Sequence, residues 1–289
     1  MTIPRFPEFK AIELEDRDII QRAMDLFPSE VCELNFGNTF IWRNFDHPKA
    51  TFIRDNLCLF CEPPDEPAYF LQPMGAREIP ETLRDCLAFA PRLSRIPAAF
   101  AARFCPGFRC APDRNNFDYV YRSQDLIELK GKKFDGKRNR ISKFTRENEF
   151  RYLKLSPEHL EACRRLFEEW MEEKAVNGSM ISAQKDAIEQ ALTHFAALGL
   201  AGSAIEVGGK VEAFSIGEKL NRETAVIHIE IVNPRYEGLS QLLNRESIKN
   251  EWSGFPFINR EQDMGIPGLR RAKMSYHPDH LVEKSVILA

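Results

Sequence analysis

The chain has 289 residues, of which 43% are hydrophobic and 29% charged, with a formal net charge of −3. This composition is typical of a folded globular protein and excludes a disordered or fibrous chain, and the length allows two domains or one large one. No apolar run approaches the ~20 residues that a membrane-spanning helix needs, and the N-terminus has no signal-peptide pattern. The seven cysteines form no framework of pairs, as in reducing compartments. We therefore expect a cytoplasmic α/β protein.

Strands and helices alternate in the first half of the chain. The hydrophobic periodicity predicts strands at 9–14, 51–54, 57–61, 68–72 and 117–121, and helices at 16–27 and 78–90. Residues 91–114 contain several Pro and Gly residues and are predicted to be irregular.

The first half also contains a C-x-x-C motif, Cys58 to Cys61, the spacing found in many metal sites. The motif falls in a predicted strand, where residues three apart point to opposite faces of the sheet. The two thiols are therefore not expected to share a zinc ion. We predict ordinary buried cysteines and no metal site.

The most basic part of the chain is residues 130–146. Its cations are Lys130, Lys132, Lys133, Lys137, Arg138, Arg140, Lys143 and Arg146. The stretch contains a single acidic residue, Asp135, and the spacing of Ile141 and Phe144 predicts an amphipathic helix in its second half. The functional interpretation is a surface for phosphate groups of tRNA, of a cofactor or of anionic lipid head groups. The alternative is a solvated run of charge.

The second half gives clearer signals. Strands are predicted at 150–155, 201–207, 211–219, 224–233 and 255–258, and helices after Ser156, from 182 to 199, and through 242–252. Gly208 and Gly209 predict a tight hairpin turn between two of these strands. His228 is interpreted as a histidine of the core whose polar atoms are satisfied.

Residues 259–278, which follow a short apolar strand, concentrate charged residues and aromatic polar residues near the C-terminus. Two carboxylates, Glu261 and Asp263, stand close to several cations and to Tyr276. Polar groups that converge at the end of a buried strand are typical of a functional site. The alternative is a surface loop held by salt bridges.

The order β-α-α-β-β-β-loop-α-β-α of the second half resembles the acetyltransferase superfamily fold known as GNAT. The loop Arg235-Tyr236-Glu237-Gly238-Leu239-Ser240 is similar to the phosphate-binding loop of that fold, except that Ser240 replaces a small apolar residue. Backbone N–H groups at a helix N-terminus suit an anion such as a pyrophosphate.

A closer resemblance covers nearly the whole chain. The basic stretch, followed by Asn259-Arg260-Glu261-Gln262-Asp263, Gly268-Leu269-Arg270 and the residues from Lys273 to Tyr276, resembles the C-terminal catalytic domain of phosphatidylglycerol lysyltransferases and its stand-alone bacterial relatives. The resemblance implies two tandem GNAT-like domains, each a mixed, mostly antiparallel sheet flanked by helices. A diverged domain would span 1–125, and a domain with the active site 126–289.

The resemblance also implies roles for particular residues in acyl transfer. The expected catalytic residues are Glu230, Glu261 or Asp263 as base and Tyr276 as proton donor. The donor would be bound by Arg235, Gly238, Ser240 and a backbone N–H near Ile231 or Val232. Phosphates or an anionic acceptor would be bound by Lys132, Lys133, Arg138, Arg140, Asn259, Arg260, Arg270 and Lys273.

Each catalytic role has a structural alternative. Glu230 would instead pair with Arg260, Asp263 would cap the following helix, and Tyr276 would pack in the core.

Three functions follow from these features. The first is transfer of an aminoacyl group from aminoacyl-tRNA to an amine or hydroxyl acceptor, either a lipid or a small molecule. The second is an acyl-CoA-dependent N-acyltransferase, which the Arg235–Ser240 loop favours. The third is a GNAT-like binding module without catalysis. No tightly bound cofactor is expected, because aminoacyl-tRNA or acyl-CoA would serve as a co-substrate.

Overall fold

The computed structural model describes residues 2–174 and 179–288. The strands are β1 Lys10–Ala11, β2 Lys49–Ile53, β3 Asn56–Cys61, β4 Tyr69–Phe70, β5 Arg92–Pro97, β6 Arg109–Pro112, β7 Asp118–Arg122, β8 Phe150–Lys154, β9 Ala201–Val207, β10 Lys210–Lys219, β11 Thr224–Val232, β12 Phe257–Asn259, β13 His280–Val282 and β14 Lys284–Leu288.

Helices connect most of these strands. They are α1 Arg17–Leu26, α2 Phe36–Ile41, α3 Arg43–Asp46, α4 Ile79–Phe89, α5 Ala98–Phe104, α6 Ser123–Glu128, α7 Asp135–Glu147, α8 Leu160–Lys174, α9 Ser179–Thr193, α10 Phe195–Leu198, α11 Leu239–Ser247 and α12 Pro267–Met274. Among the described residues, none of these helices is both long enough and apolar enough to cross a bilayer.

The chain divides into two compact units. Unit 1 consists of Met1–Asp118, Gln262–Arg270 and Leu281–Ala289, and unit 2 of Tyr119–Glu261 and Arg271–His280. The predicted boundary at 125/126 lies close to the observed change of unit, but the prediction of two contiguous domains differs from this division. The reason is that β14, at the end of the chain, pairs with β5 and β6 of unit 1.

Unit 1 is built on a seven-stranded mixed sheet with the order β1-β2-β3-β4-β5-β14-β6. Its neighbouring strands are antiparallel except for β4 and β5, which are parallel. One face packs on α4 through an apolar core that includes Phe60, Phe70, Leu83 and Leu93. β3 is buried along its whole length, in agreement with the continuous apolar run that predicted it from the sequence.

Unit 2 contains a second seven-stranded mixed sheet, with the order β13-β7-β12-β11-β10-β9-β8. It likewise has a parallel pair, β11 and β12, between antiparallel neighbours. Gly208 and Gly209 both adopt positive φ in the β9–β10 turn, as the hairpin prediction requires. The α+β class with mixed sheets flanked by helices is therefore confirmed.

Two stretches of unit 1 differ from prediction. Residues 91–114, predicted to be irregular, form β5, α5 and β6. The predicted strand at 9–14 shortens to β1. Pairing with β14 supplies the hydrogen bonds of β5 and β6, and a partner so distant in sequence leaves no local signal.

Lys284 forms the centre of a buried polar cluster in unit 1. Its side chain is fully buried, and its ammonium group donates to Asp118 at 2.7 Å and to Glu33 at 2.5 Å. The Cys32 thiol contacts Asp118 at 3.4 Å. Cys32, Glu33 and Asp118 lie close enough together to be considered as metal ligands, but here Lys284 supplies the positive charge. Burial alone would raise the pKa of Glu33, yet Lys284 and Arg95 outweigh it and lower that pKa.

We predict that Lys284→Met lowers the free energy of unfolding by about 3–5 kcal/mol, because two carboxylates would remain buried without their cation. Urea denaturation measures the loss. Lys249→Met, which removes an exposed lysine, is the matched control and should change stability by less than about 0.5 kcal/mol. Equal effects of the two substitutions would contradict the role given to Lys284.

Candidate active site

The parallel strands β11 and β12 separate soon after they begin. Their register pairs Thr224 with Phe257 and ends at Val226 with Asn259, whereas β11 continues to Val232. The chain therefore leaves β12 at Arg260, beside a stretch of β11 that no longer pairs with β12. The predicted donor residues Ile231 and Val232 lie in this stretch and pair with β10 on its other side. Their expected backbone role stays a prediction.

Arg260 is the cation at this point of separation. Its side chain is only 13% exposed, and its Nη2 atom forms an ion pair with Glu230 on β11. Its Nε and Nη1 atoms are buried and have no hydrogen-bond partner among the described residues. Unpaired buried donors are rare and costly in folded proteins. Arg260 thus has two buried donor nitrogens that make no hydrogen bond within the described residues.

Tyr276 lies against this guanidinium. The centroid of its ring is 5.0 Å from Arg260 Cζ, and the ring of Tyr121 is 5.8 Å from the same atom. The Tyr276 hydroxyl is buried and makes no well-aligned hydrogen bond in the described part of the chain, although the Gln241 side chain lies close enough to lower its pKa. Burial raises the pKa of Tyr276 to about 12, although the charge of Arg260 opposes this effect. Tyr276 is therefore a neutral hydroxyl at neutral pH.

Glu230 is held on two sides. Besides its ion pair with Arg260, it accepts a hydrogen bond of 3.3 Å from the Asn244 side chain on α11. The alternative predicted from the sequence, a Glu230–Arg260 pair, is present. A carboxylate fixed by a guanidinium is a poor proton acceptor, so the assignment of Glu230 as base stays a prediction that these contacts do not favour.

The carboxylate of Glu261 is hydrogen-bonded to His228. The imidazole is clamped between two carboxylates, with Nδ1 at 2.8 Å from Glu261 and Nε2 at 2.9 Å from Glu218. Burial alone would lower the pKa of His228, but its hydrogen bonds to Glu218 and Glu261 outweigh burial and raise the pKa to about 10. His228 is thus a charged structural residue, with both ring nitrogens satisfied as predicted.

We predict that His228→Gln lowers stability by about 3 kcal/mol near pH 6, because two partly buried carboxylates lose their cation. The pKa of His228 is about 10 in the folded protein and about 6.5 in the unfolded chain. Its stabilisation is therefore fully present below pH 6.5 and is lost as the pH rises towards 10. Urea denaturation from pH 6 to 10 measures the free energy of unfolding of both proteins, and the difference between wild type and His228→Gln should become smaller as the pH rises.

His280→Gln is the control for this experiment, because the His280 side chain is 38% exposed and its ion pair is with the neighbouring residue Asp279. It should have a small effect at every pH. If the difference in free energy of unfolding between wild type and His228→Gln stays constant between pH 6 and 10, the stabilising role given to charged His228 between Glu218 and Glu261 is contradicted.

Asp263 lies in unit 1 and is completely buried. Arg270 donates to both of its oxygens, at 2.8 and 2.9 Å, and Arg114 donates at 3.2 Å. The backbone N–H of Gly265 adds a further bond of 2.8 Å just before α12. These contacts are those of the structural alternative, a clamp at the start of the helix. The catalytic role of Asp263 and the phosphate-binding role of Arg270 stay predictions, and these bonds do not favour them.

We predict that Asp263→Asn costs about 3 kcal/mol of stability, because Arg270 and Arg114 lose a buried counter-charge. Asp55→Asn, an exposed carboxylate of the same unit, is the matched control. Transfer activity per folded molecule should be unchanged in both variants. Loss of transfer at wild-type stability would instead restore the catalytic assignment of Asp263.

The glycine loop after β11 packs closely on α7. Gly238 has φ of +92°, and a Cβ atom there would come within 2.3 Å of the Arg140 carbonyl oxygen. Arg235 and Ser240 are exposed, and the Arg235 N–H donates to Asn233 Oδ1 at 3.0 Å. The glycine is therefore required for a close approach of α7. Binding of a donor phosphate by this loop stays a prediction.

A cavity of about 490 Å³ opens between α8 and the start of this loop. Its lining residues include groups of both charges: Leu166, Glu169, Trp170, Glu172, Lys210, Asn233, Pro234 and Arg235. Of the predicted site residues, Arg235 is the one that reaches this cavity.

Some of the cations predicted to bind phosphate, on α7 and in the turn before it, are exposed, and others are bound to neighbouring groups of the protein. Lys132 and Arg140 are exposed, and Lys133 lies 3.9 Å from Asp125. Arg138 is tied to Asp135 and to the carbonyl oxygens of Leu129 and Gly131. The Arg138 side chain thus has a structural role, whereas the exposed cations remain candidates for binding phosphate.

Asn259 and Lys273 fix the backbone on which Arg260 stands. Asn259 accepts a bond of 2.7 Å from the N–H of Glu261, whose φ is +56°. Lys273 donates to the carbonyl oxygens of Arg260 and Glu261. Both side chains therefore hold this backbone, and their predicted binding of a phosphate or an anionic acceptor stays a prediction.

Some residues of the site were not selected from the sequence. Lys137 lies with its Nζ atom 3.9 Å from the centroid of the Tyr276 ring, and Asn244 and Tyr121 also line the site. Lys137 is one of eight cations in the basic stretch, and no sequence signal distinguishes it from the others.

Sequence and structure comparisons agree on one family. The family model described as "Phosphatidylglycerol lysyltransferase, C-terminal" matches residues 24–288. No curated protein matches the chain in a sequence search.

Three solved structures are similar along their length. A conserved protein of unknown function from Bacteroides thetaiotaomicron VPI-5482 is 31% identical, with a TM-score of 0.90 and all of both chains covered. The C-terminal domain (DUF2156) of a putative lysylphosphatidylglycerol synthetase from Agrobacterium fabrum is 14% identical, with a TM-score of 0.65, covering 94% of this chain and 91% of that one.

The third structure is L-PGS from Bacillus licheniformis, 16% identical with a TM-score of 0.64, covering 100% of this chain and 93% of that one. At this identity, the last two comparisons show a shared fold. Since the family model spans most of the sequence, the chain belongs to the phosphatidylglycerol lysyltransferase C-terminal-domain family.

Proposed function

We propose that this protein is an aminoacyltransferase, which moves an aminoacyl group from aminoacyl-tRNA to an amine or hydroxyl group of a lipid or small-molecule acceptor. The observation behind this proposal is the pair of unpartnered Arg260 donors beside the unpartnered Tyr276 hydroxyl, where β11 and β12 separate. Family membership supports transfer as the reaction class.

The chemistry of ester aminolysis or transesterification fits these donors. When the acceptor attacks the ester carbonyl, negative charge develops on the carbonyl oxygen. Buried N–H donors that already point at that position stabilise the charge without reorganisation. Arg260 supplies two such donors, and Glu230 holds the guanidinium in place. Tyr276, neutral at pH 7, is the candidate proton donor to the leaving ribose oxygen.

The corresponding position in unit 1 supports a single active site. There, Arg95 lies on β5, the strand that pairs in parallel with β4. Its three guanidinium nitrogens face Glu33 at 3.6 Å, Glu66 at 2.6 Å and Asp113 at 3.5 Å. The Arg95 guanidinium thus forms ion pairs with three carboxylates, whereas Arg260 forms an ion pair with one, Glu230.

We also infer that both units are GNAT-like and arose as a tandem pair. Each sheet has four antiparallel strands, one parallel step and then antiparallel strands. In each, a helix joins the two parallel strands, α4 in unit 1 and α11 in unit 2.

Two features favour aminoacyl-tRNA over acyl-CoA as the donor. The space beside Gly238 is filled by the backbone of α7, which restricts the approach of a pyrophosphate to this loop. The exposed cations Lys132 and Arg140 suit a polyanion, because phosphate contacts dominate nucleic-acid affinity.

We predict that Tyr276→Phe lowers kcat about 10²–10⁴-fold and leaves stability nearly unchanged, because the hydroxyl that it removes makes no well-aligned hydrogen bond within the described residues. The assay follows a labelled aminoacyl group from charged tRNA into phosphatidylglycerol vesicles or a soluble amine. Release of thiol from acetyl-CoA is measured in parallel. Arg260→Gln should lower kcat about 10²–10³-fold, although it also breaks a buried ion pair.

Tyr152→Phe is the matched control for Tyr276→Phe. The Tyr152 hydroxyl donates to Glu251 at 2.8 Å on an edge strand, so its removal should cost about 1 kcal/mol of stability and leave kcat unchanged. Thiol release without transfer from tRNA would make the protein an acyl-CoA enzyme. Absence of transfer from both donors would favour the binding module.

A further inference from the structure

Lys137, on α7, approaches the proposed site from the side of the Tyr276 ring. Its Nζ atom lies 3.9 Å from the ring centroid and donates to Ser275 Oγ at 2.6 Å. Ser275 in turn donates to the carbonyl oxygen of Ala272. The amine is therefore held in place beside Tyr276 by a neutral hydroxyl.

The charges around Lys137 are mainly positive. Arg140 on the same helix and Arg260 at the end of β12 are both close enough to repel its ammonium form. The nearby carboxylates already have partners, since Asp135 pairs with Arg138 and Glu230 with Arg260. Within the described residues, Lys137 has no carboxylate in ion-pair range. Partial burial, together with Arg140 and Arg260, lowers the pKa of Lys137 to about 8.

The acidic residues of the site are poor alternatives as proton acceptors. Glu230 is fixed by Arg260, and Glu261 by His228, whose two ring nitrogens are both bonded. A general base works best when its pKa is near the working pH and when no stronger partner holds its lone pair. Lys137, as a neutral amine, meets both conditions.

We propose that Lys137 is the general base of the transfer and accepts the proton of the attacking amine or hydroxyl group. This role rests on the proposed aminoacyltransferase function. The acceptor's N or O atom bonds to the ester carbonyl carbon while its proton passes to neutral Lys137 Nζ. The tetrahedral oxyanion is held by Arg260. Its collapse breaks the bond to the ribose oxygen, which takes the Tyr276 proton. The ammonium of Lys137 then reprotonates Tyr276, and no proton is gained or lost overall.

The first test measures the protonation of Lys137 directly and does not depend on transfer activity. Trace acetic anhydride labels each lysine at a rate that follows its neutral fraction, and peptide mass spectrometry resolves the sites between pH 6 and 11. We expect a midpoint near pH 8 for Lys137. Lys143, on the same helix but with its pKa raised by Glu237, is the internal control and should label only at higher pH. Labelling of Lys137 in parallel with Lys143 would overturn the proposal.

The second test uses the pH dependence of transfer. Wild-type kcat should rise with a midpoint near pH 8, and Lys137→Arg should lose about 10²–10⁴-fold because a guanidinium does not accept a proton in this range. Lys143→Arg should leave the profile unchanged. Unaltered transfer by the Lys137→Arg variant would overturn the proposed role of Lys137 as base, whatever the labelling midpoint of Lys137 in the wild-type protein.

A chemical rescue separates a base from a structural cation. In a Cys110→Ser background, which removes the exposed cysteine, Lys137→Cys is treated with bromoethylamine to give a lysine analogue of lower pKa. We expect activity to return with its pH midpoint moved down. Recovery with an unmoved midpoint would overturn proton transfer by this group. Absence of transfer by the wild-type protein from any donor would overturn the proposed function and this role together, while the labelling midpoint would be unaffected.

Discussion

The candidate site depends on one constraint, the burial of a guanidinium that cannot release its proton. Arg260 enters unit 2 at the end of β12, and its charge must be balanced where it lies. Glu230 and two aromatic rings provide only part of that balance. Two donor nitrogens, Nε and Nη1, stay without a hydrogen-bond partner among the described residues, and the proposed function uses them to bind a carbonyl oxygen.

Competition for the carboxylates explains the distribution of roles. Glu261 neutralises His228, and Asp263 neutralises Arg270 in unit 1. With these acids bound to cations, we assign the proton exchange of the candidate site to Lys137, because partial burial and the cations Arg140 and Arg260 lower its pKa to about 8. The proposal of Lys137 as base follows from the same electrostatic rule, since nearby cations repel its ammonium form, whereas the base roles predicted for the carboxylates stay predictions.

The two units differ in how many carboxylates pair with a buried arginine beside the parallel strands. In unit 1, Arg95 meets three carboxylates, and Lys284 closes a second cluster below the surface. In unit 2, Arg260 forms an ion pair with one carboxylate, Glu230. Buried ion clusters that are fully paired stabilise or specify a fold, whereas an incompletely paired one keeps the capacity to bind.

The sequence by itself determined most elements of unit 2, because their signals are local. The Gly208-Gly209 turn, the stripe of α8 and the alternation of β11 each depend on residues a few positions apart. It also indicated the family and the segment around Arg260. Only the tertiary structure decided which ionisable groups are free. Lys137 and Arg138 look alike in sequence, but one lies beside Tyr276 and the other is bound to Asp135. Likewise β14, predicted as apolar structure within a C-terminal domain, completes the sheet of unit 1, because strand pairing joins residues far apart in the chain.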